Sequence, residues 1–301
     1  MRGRPVPPHM LNDAHCHFFS TPFFQALGGD AALAKLGWEG PGTAEALSDR
    51  WAAELDRHGV ARAALIASLP GDAASVAVAV SRHPRRFVGF FMVDPTAENA
   101  AEQAAAALDR GGLRTICLFP AMHHFPIHGE AVQRVFAVAA ERPGTAVFVH
   151  CGVLSVGVRK KLGLPSPFEM RFGNPLDLQT IAQRYPAVPI VIPHFGAGML
   201  REALMVADLC PNVLLDTSSS NSWLEHHPGL TLAEVFRRAL EVLGPDRLLF
   251  GTDSSFFPRG WVKGVHAEQI AVLEQIGAGA DVRAKVFGGN FDRLFPLGSS
   301  R

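Results

Sequence analysis

Met10-Leu11-Asn12-Asp13-Ala14-His15-Cys16-His17-Phe18-Phe19 is a short run in which apolar residues flank an aspartate and two histidines. It reads as a strand, and strand side chains alternate faces with a period of two. His15 and His17 therefore share a face, and Cys16 takes the other. Two imidazoles one pleat apart suit a single transition metal. Alone, a His-x-His pair often lies on an ordinary surface. The reading therefore depends on finding further ligands at the ends of other strands.

Short apolar runs recur along the chain and predict strands at 11–17, 63–69, 87–93, 114–119, 146–151, 190–195, 213–217 and 248–253. Most are near-continuous in Val, Ile, Leu and Phe, as in parallel strands buried on both faces. Helical patterns lie between them. In 45–58, Leu47, Trp51 and Leu55 keep a four-residue spacing, and Gly59 follows as a stop. Thr96 is the expected N-cap of a helix over 97–110. Further helices are predicted at 130–142, 176–185, 199–209, 232–243 and 265–276. A last one covers 281–295, with Gly288-Gly289 expected to interrupt it. Eight β–α alternations in 301 residues predict an α/β fold of the (β/α)8 barrel type. An open doubly wound sheet is the alternative, but neither GxGxxG nor a P-loop is present. The connection 152–177 exceeds ordinary loop length and is expected to form a lid over the barrel mouth.

Composition narrows the function classes. Lys+Arg and Asp+Glu are both 28, so the formal net charge is zero. There is no basic excess of the kind that marks nucleic-acid or anionic-membrane binding. No stretch of about 18 apolar residues suggests a membrane span, and the first residues lack the apolar segment of a signal peptide. Cys16, Cys117, Cys151 and Cys210 show no CxxC spacing, which favours a reducing compartment over a disulfide framework. The expectation is a cytoplasmic protein acting on a small-molecule substrate. Whether it forms a homo-oligomer is left open.

The expected strand ends carry the chemistry. Strand one ends at His15 and His17, strand five in Phe148-Val149-His150-Cys151-Gly152, strand six in Pro193-His194-Phe195-Gly196, and strand eight in Phe250-Gly251-Thr252-Asp253. In a barrel, the C-terminal strand ends converge on one mouth. Four imidazoles and a carboxylate would meet there. That set suits Zn²⁺, with Mn²⁺, Fe²⁺ or Co²⁺ as alternatives.

In these motifs the chain resembles the amidohydrolase superfamily, in its amidohydrolase-2 branch of aminocarboxymuconate semialdehyde decarboxylase-like proteins. Phe287-Gly288-Gly289-Asn290-Phe291-Asp292-Arg293-Leu294-Phe295 matches that branch as well. The resemblance spans 10–296 and implies one TIM-barrel domain. It implies His15, His17, His150 and Asp253 as metal ligands. His194 would contact the activated water or ligate directly. Binuclear members often carry a carboxylated Lys at the end of strand four. Here that strand reads Arg114-Thr115-Ile116-Cys117-Leu118-Phe119-Pro120, so one divalent ion is expected. Asp253 would take the proton of the water and pass it to the leaving group, and His194 would orient the water or stabilise an oxyanion.

The leading expectation is hydrolysis of an amide, lactone or ester in a small molecule. Non-oxidative decarboxylation of an aromatic or unsaturated acid is the alternative, and a catalytically silent metal-binding scaffold is a third reading. A fixed cation beside the metal, able to hold a substrate carboxylate, would favour decarboxylation. Arg171 and Arg259 are the candidates, with surface salt bridging as the plain reading of both. Asp13 shares the parity of His15 and would either support the ligands or fill the barrel interior. Cys16 and Cys151 are expected to pack outward. His123, His124 and His128 lie just beyond strand four, either as a solvated loop or as an extension of the site. Trp261, Phe256 and Phe257 would wall the pocket or pack on the rim.

Overall fold

The computed structural model describes residues 10–297. Eight strands form one sheet in sequential order: β1 (Leu11–Phe18), β2 (Val60–Ala67), β3 (Phe87–Met92), β4 (Leu113–Leu118), β5 (Ala146–Val149), β6 (Ile190–Ile192), β7 (Val213–Asp216) and β8 (Leu248–Leu249). Every neighbouring pair is parallel. The sheet curls until the residues after β8 meet β1. Ala14 N–H donates to Phe250 O (2.8 Å), Asp253 N–H to His15 O (2.9 Å) and His17 N–H to Ser254 O (2.6 Å). The fold is the expected (β/α)8 barrel.

The strands are buried on both faces because alternate residues feed two cores. Ala64, Ile66, Phe90, Phe148 and Leu249 fill the barrel interior. Leu65, Phe91, Val149, Ile192 and Leu215 face the surrounding helices. Cys16 and Cys151 belong to this outer core, as expected from alternation. Burial pushes both thiols well up, so neither is a ready nucleophile.

Several boundaries differ from the sequence expectation. β6 stops at Ile192 because His194 and Phe195 adopt left-handed backbone (φ 55° and 53°), which turns His194 off the strand. Thr96 does not cap a helix. Its N–H and hydroxyl both donate to Asp94 in a turn, and the helix begins later, at Ala100–Asp109. Gly288-Gly289 does not break the last helix. Ala280–Ala284 continues through a π turn, Lys285–Gly289, into Asn290–Leu294. A Cβ on Gly288 would stand 1.9 Å from Met10 O, so glycine lets this helix lie against the start of β1.

The 152–177 connection is not irregular throughout. It contains a short helix, Gly157–Lys161, whose Val158 packs with Leu162, Phe19, Phe23, Phe24 and Leu33. Two connections, after β1 and after β5, thus share a small apolar core of their own.

Candidate metal centre

The centre is built where β1 meets the residues after β8. β1 carries a bulge: Asp13 pairs with Ala63 and Cys16 with Leu65, so Ala14 and His15 together face one residue of β2. The bulge breaks the parity between Asp13 and His15. Ala14 joins the barrel interior, while Asp13 is fully buried behind the strand. His15 and His17 still share the mouth. Asp253 reaches them from a left-handed residue (φ 58°).

Three donor atoms converge. His15 Nε2 lies 3.2 Å from His17 Nε2 and 3.6 Å from Asp253 Oδ1, and His17 Nε2 lies 3.2 Å from the same oxygen. Ligand atoms about 2.0–2.1 Å from a tetrahedral ion stand about 3.3 Å apart. The triangle has that size.

Hydrogen bonds on the far side of each ring fix which nitrogen is free. His15 Nδ1 donates to Asp216 Oδ2 at 2.6 Å, with both side chains about 1% exposed. His17 Nδ1 donates to Ser68 Oγ at 2.7 Å, because the Ser68 hydroxyl itself donates to Ile66 O. His194 Nδ1 lies 3.2 Å from Ser218 O, a group that only accepts. Each imidazole therefore carries its proton on Nδ1 and keeps an Nε2 lone pair. Two such lone pairs facing each other at 3.2 Å repel unless a cation or proton lies between them. The donor set fits a divalent ion.

The electrostatics agree. Burial opposes charge on His15, but Asp216, Asp253 and Asp13 outweigh it and hold its pKa above the ordinary histidine value. Burial lowers His17, His150 and His194, and repulsion from His15 adds to it in each case. Burial would raise Asp253, yet the His17 hydrogen bond and the neighbouring imidazoles hold it below the usual carboxylate range.

His15, His17 and Asp253 are thus brought together. His194 stands at their edge, its ring centroid 5.0 Å from that of His15, and Ser218 Oγ bridges the two Nδ1 atoms at 3.0 and 2.9 Å. His150 lies 5.3 Å from His194 between ring centroids and stacks on Phe119. It joins no group of three donors within 4.8 Å among the described residues. Its buried Nδ1 has no hydrogen-bond partner among them. Arg259 sits at the mouth. Its Nη2 donates to Asp253 O (3.2 Å) and Ser255 Oγ (2.8 Å), and its guanidinium lies over Phe256. Arg171 is 75% exposed and paired with Glu169 at 2.7 Å. His124 Nε2–H donates to Pro167 O in the 152–177 connection at 2.9 Å.

Sequence reasoning missed Asp216, Ser218 and Ser68. Asp216 had a usable signal: it ends the apolar run Val213-Leu214-Leu215 of β7, as Asp253 follows that of β8. Ser68 and Ser218 had none, because serine after a strand is ordinary turn chemistry.

The fold and this donor set define a (β/α)8 barrel with a His/Asp group at its mouth of a kind that can hold a metal ion. The chain belongs to the amidohydrolase family, whose profile matches residues 13–297. Protein fluG of Emericella nidulans is 25% identical over 170 residues, which cover 55% of this chain and 18% of that protein. The chain therefore spans less than a fifth of the length of this curated relative. Among solved structures, a candidate 2-pyrone-4,6-dicarboxylic acid hydrolase from Pseudomonas putida superposes with a TM-score of 0.65 at 17% identity, covering 97% of this chain and 100% of that one. The 5-carboxyvanillate decarboxylase of Novosphingobium aromaticivorans, complexed with manganese and a nitrobenzoic acid, gives 0.64 at 16%, covering 95% and 96%. At these identities the structural likeness speaks for the fold alone.

Proposed function

We propose that the chain is a mononuclear metal-dependent hydrolase, one catalytic domain over 10–296, that opens an amide, lactone or ester bond of a small molecule. The observation that carries this is the triangle of His15 Nε2, His17 Nε2 and Asp253 Oδ1, each with its lone pair free. These residues, with His150 as the fourth ligand, would hold Zn²⁺ or a similar ion. Such an ion supplies a nucleophilic water near neutral pH and polarises a substrate carbonyl. Asp253 would accept a proton from the attacking water and deliver it to the leaving group. His194, its Nδ1 anchored on Ser218, presents Nε2 to orient the water or, protonated, to stabilise an oxyanion. Four buried free cysteines support a cytoplasmic setting. No helix among the described residues is long and apolar enough to cross a membrane.

Arg259 favours a second reading, decarboxylation of an aromatic or unsaturated acid. Its guanidinium is fixed on the Asp253 carbonyl, beside the centre, where it could hold a substrate carboxylate. Arg171, on the 152–177 connection, is the other proposed anion contact. Metal analysis followed by a panel of lactones, amides and aromatic carboxylates separates the readings. Metal-dependent release of CO₂ would favour the second. Absence of any metal-dependent turnover would refute both.

A further inference from the structure

Asp13 takes no part in the chemistry above, yet it is among the most heavily bonded side chains in the protein. Its carboxylate is 0% exposed and lies behind β1, away from the mouth. Oδ1 accepts the His15 N–H (2.9 Å) and the Thr252 N–H (3.1 Å). Oδ2 accepts the Thr252 hydroxyl (2.6 Å) and the Trp261 indole N–H (2.7 Å). One oxygen atom thus joins the backbone of His15 to the residue preceding Asp253. These are two of the three donors in the triangle.

A chain of further bonds runs toward this carboxylate. The Thr252 hydroxyl gives its proton to Asp13, so the Ser254 hydroxyl, 2.6 Å away, donates to Thr252. Ser254 Oγ in turn accepts the Val262 N–H at 2.9 Å. Trp261 is held at both ends, its indole by Asp13 and its backbone N–H by Glu54 Oε1 at 2.9 Å. The clamp has two structural tasks. It satisfies the His15 N–H that the β1 bulge removes from the ladder. It also holds the segment in which Asp253 keeps a left-handed conformation (φ 58°), one that a non-glycine residue adopts only under constraint.

We infer that Asp13, bonded to Thr252 and Trp261, is a positioning residue that sets the separation of His15 and Asp253 and thereby the affinity and geometry of the metal centre. The inference rests on the metal reading above in one respect: what is spaced is a metal site. Asparagine at position 13 keeps the volume but turns an amide N–H₂ toward donors. Phenylalanine at 261 keeps an aromatic ring and removes one donor. Valine at 252 keeps the shape of threonine and removes the hydroxyl, whereas serine retains it.

Cobalt(II) alone is the probe, because its visible spectrum reports coordination geometry without substrate. Purified wild type, Asp13→Asn, Trp261→Phe, Thr252→Val and Thr252→Ser are titrated with it, and the Tm of each metal-free protein is measured. Asp13→Asn, Trp261→Phe and Thr252→Val are expected to lose cobalt affinity by about 10- to 100-fold, the scale of lost outer hydrogen bonds at metal sites, with altered spectra. Thr252→Ser is expected to retain both. Folded Trp261→Phe and Thr252→Val with wild-type affinity and spectrum overturn the inference, even if Asp13→Asn fails to fold. Failure of all three to fold assigns the clamp to stability and overturns it too. His15→Ala is the control. If wild type binds no cobalt that this variant loses, the metal reading falls and the clamp with it. If wild type binds and the variants match it, only the clamp falls.

Discussion

Replacing Asp216 by asparagine tests the tautomer argument most directly. Asp216 Oδ1 accepts the Ser218 N–H at 2.6 Å, and Oδ2 accepts His15 Nδ1–H at 2.6 Å. An asparagine must leave its carbonyl oxygen on the Ser218 N–H, since the amide group there would oppose a donor. Its N–H₂ then faces His15 Nδ1 and forces that nitrogen to accept. The proton moves to Nε2, where the metal ligand must be bare. Removal of a carboxylate partner from a ligating histidine ordinarily costs about 10- to 100-fold in metal affinity, which is about 1.4–2.8 kcal/mol at 1.4 kcal/mol per decade. The forced tautomer adds to that loss, so Asp216→Asn should sit at or beyond the upper end. Asp216→Ala, which leaves His15 Nδ1 free to keep its proton, should do less damage although it removes more atoms. Competition against a chromophoric chelator, with cobalt(II) or zinc, measures both. Wild-type affinity in Asp216→Asn, or an alanine variant clearly weaker than the asparagine one, would refute the reasoning.

Metal affinity should also depend on pH with a definite sign. Asp216 and Asp253 outweigh burial and raise the pKa of His15, so protons compete with the metal there up to a higher pH than at an ordinary histidine. Affinity therefore climbs as pH rises toward that pKa and levels off above it, with about one proton released per ion bound; a flat profile from about pH 6 to about pH 8 would contradict this. His17, His150 and His194, lowered by burial, add little to that slope. Wild-type protein should bind about one divalent ion per chain, and His15→Ala should lose it; two tightly held ions would count against a mononuclear centre. His194→Asn should keep most metal affinity and lose turnover by about 100-fold, since His194 stands outside the triangle, whereas parallel losses of metal and rate would make it a ligand. Gly251→Ala would place a Cβ 2.8 Å from His15 Cβ and 2.9 Å from Ser218 Cβ; it should cost about 1–3 kcal/mol of stability and weaken metal binding, and an unchanged Tm in denaturation would show that the site yields more easily than its packing implies.

The barrel was legible because its strands are buried on both faces and so read as unbroken apolar runs. Their ends were less so. β6 stops at Ile192, just before the left-handed His194 and Phe195, and β8 stops at Leu249, ahead of the left-handed Asp253, and nothing in His-Phe-Gly or Thr-Asp-Ser announces those conformations. His15 and His17 could be placed on one face by alternation alone, since the bulge at Ala14-His15 is followed by regular pairing from Cys16 to Phe18. Asp13 lies on the other side of that bulge, so alternation assigned it the wrong face. One inserted residue reverses every orientation beyond it, and no residue type in Asp13-Ala14-His15 marks the insertion.

That bulge explains how a single strand serves two purposes. A regular strand alternates strictly, so Asp13 and His15 would both point into the barrel and a carboxylate would compete for the space beside the ligands. With the extra residue, His15 faces the mouth while Asp13 faces the loop after β8. Ala14, the residue absorbed by the bulge, is small enough to enter the interior core beneath the site. The donors that meet at the mouth come from opposite ends of the chain, some 240 residues apart in sequence. Alignment of His15 with Asp253 therefore depends on closure of the barrel between its first and last strands, the one seam that no β–α–β connection spans. The Asp13 carboxylate bridges that seam at the level of the ligands. A metal there would bridge it again from the inside, so metal binding and barrel closure should reinforce each other.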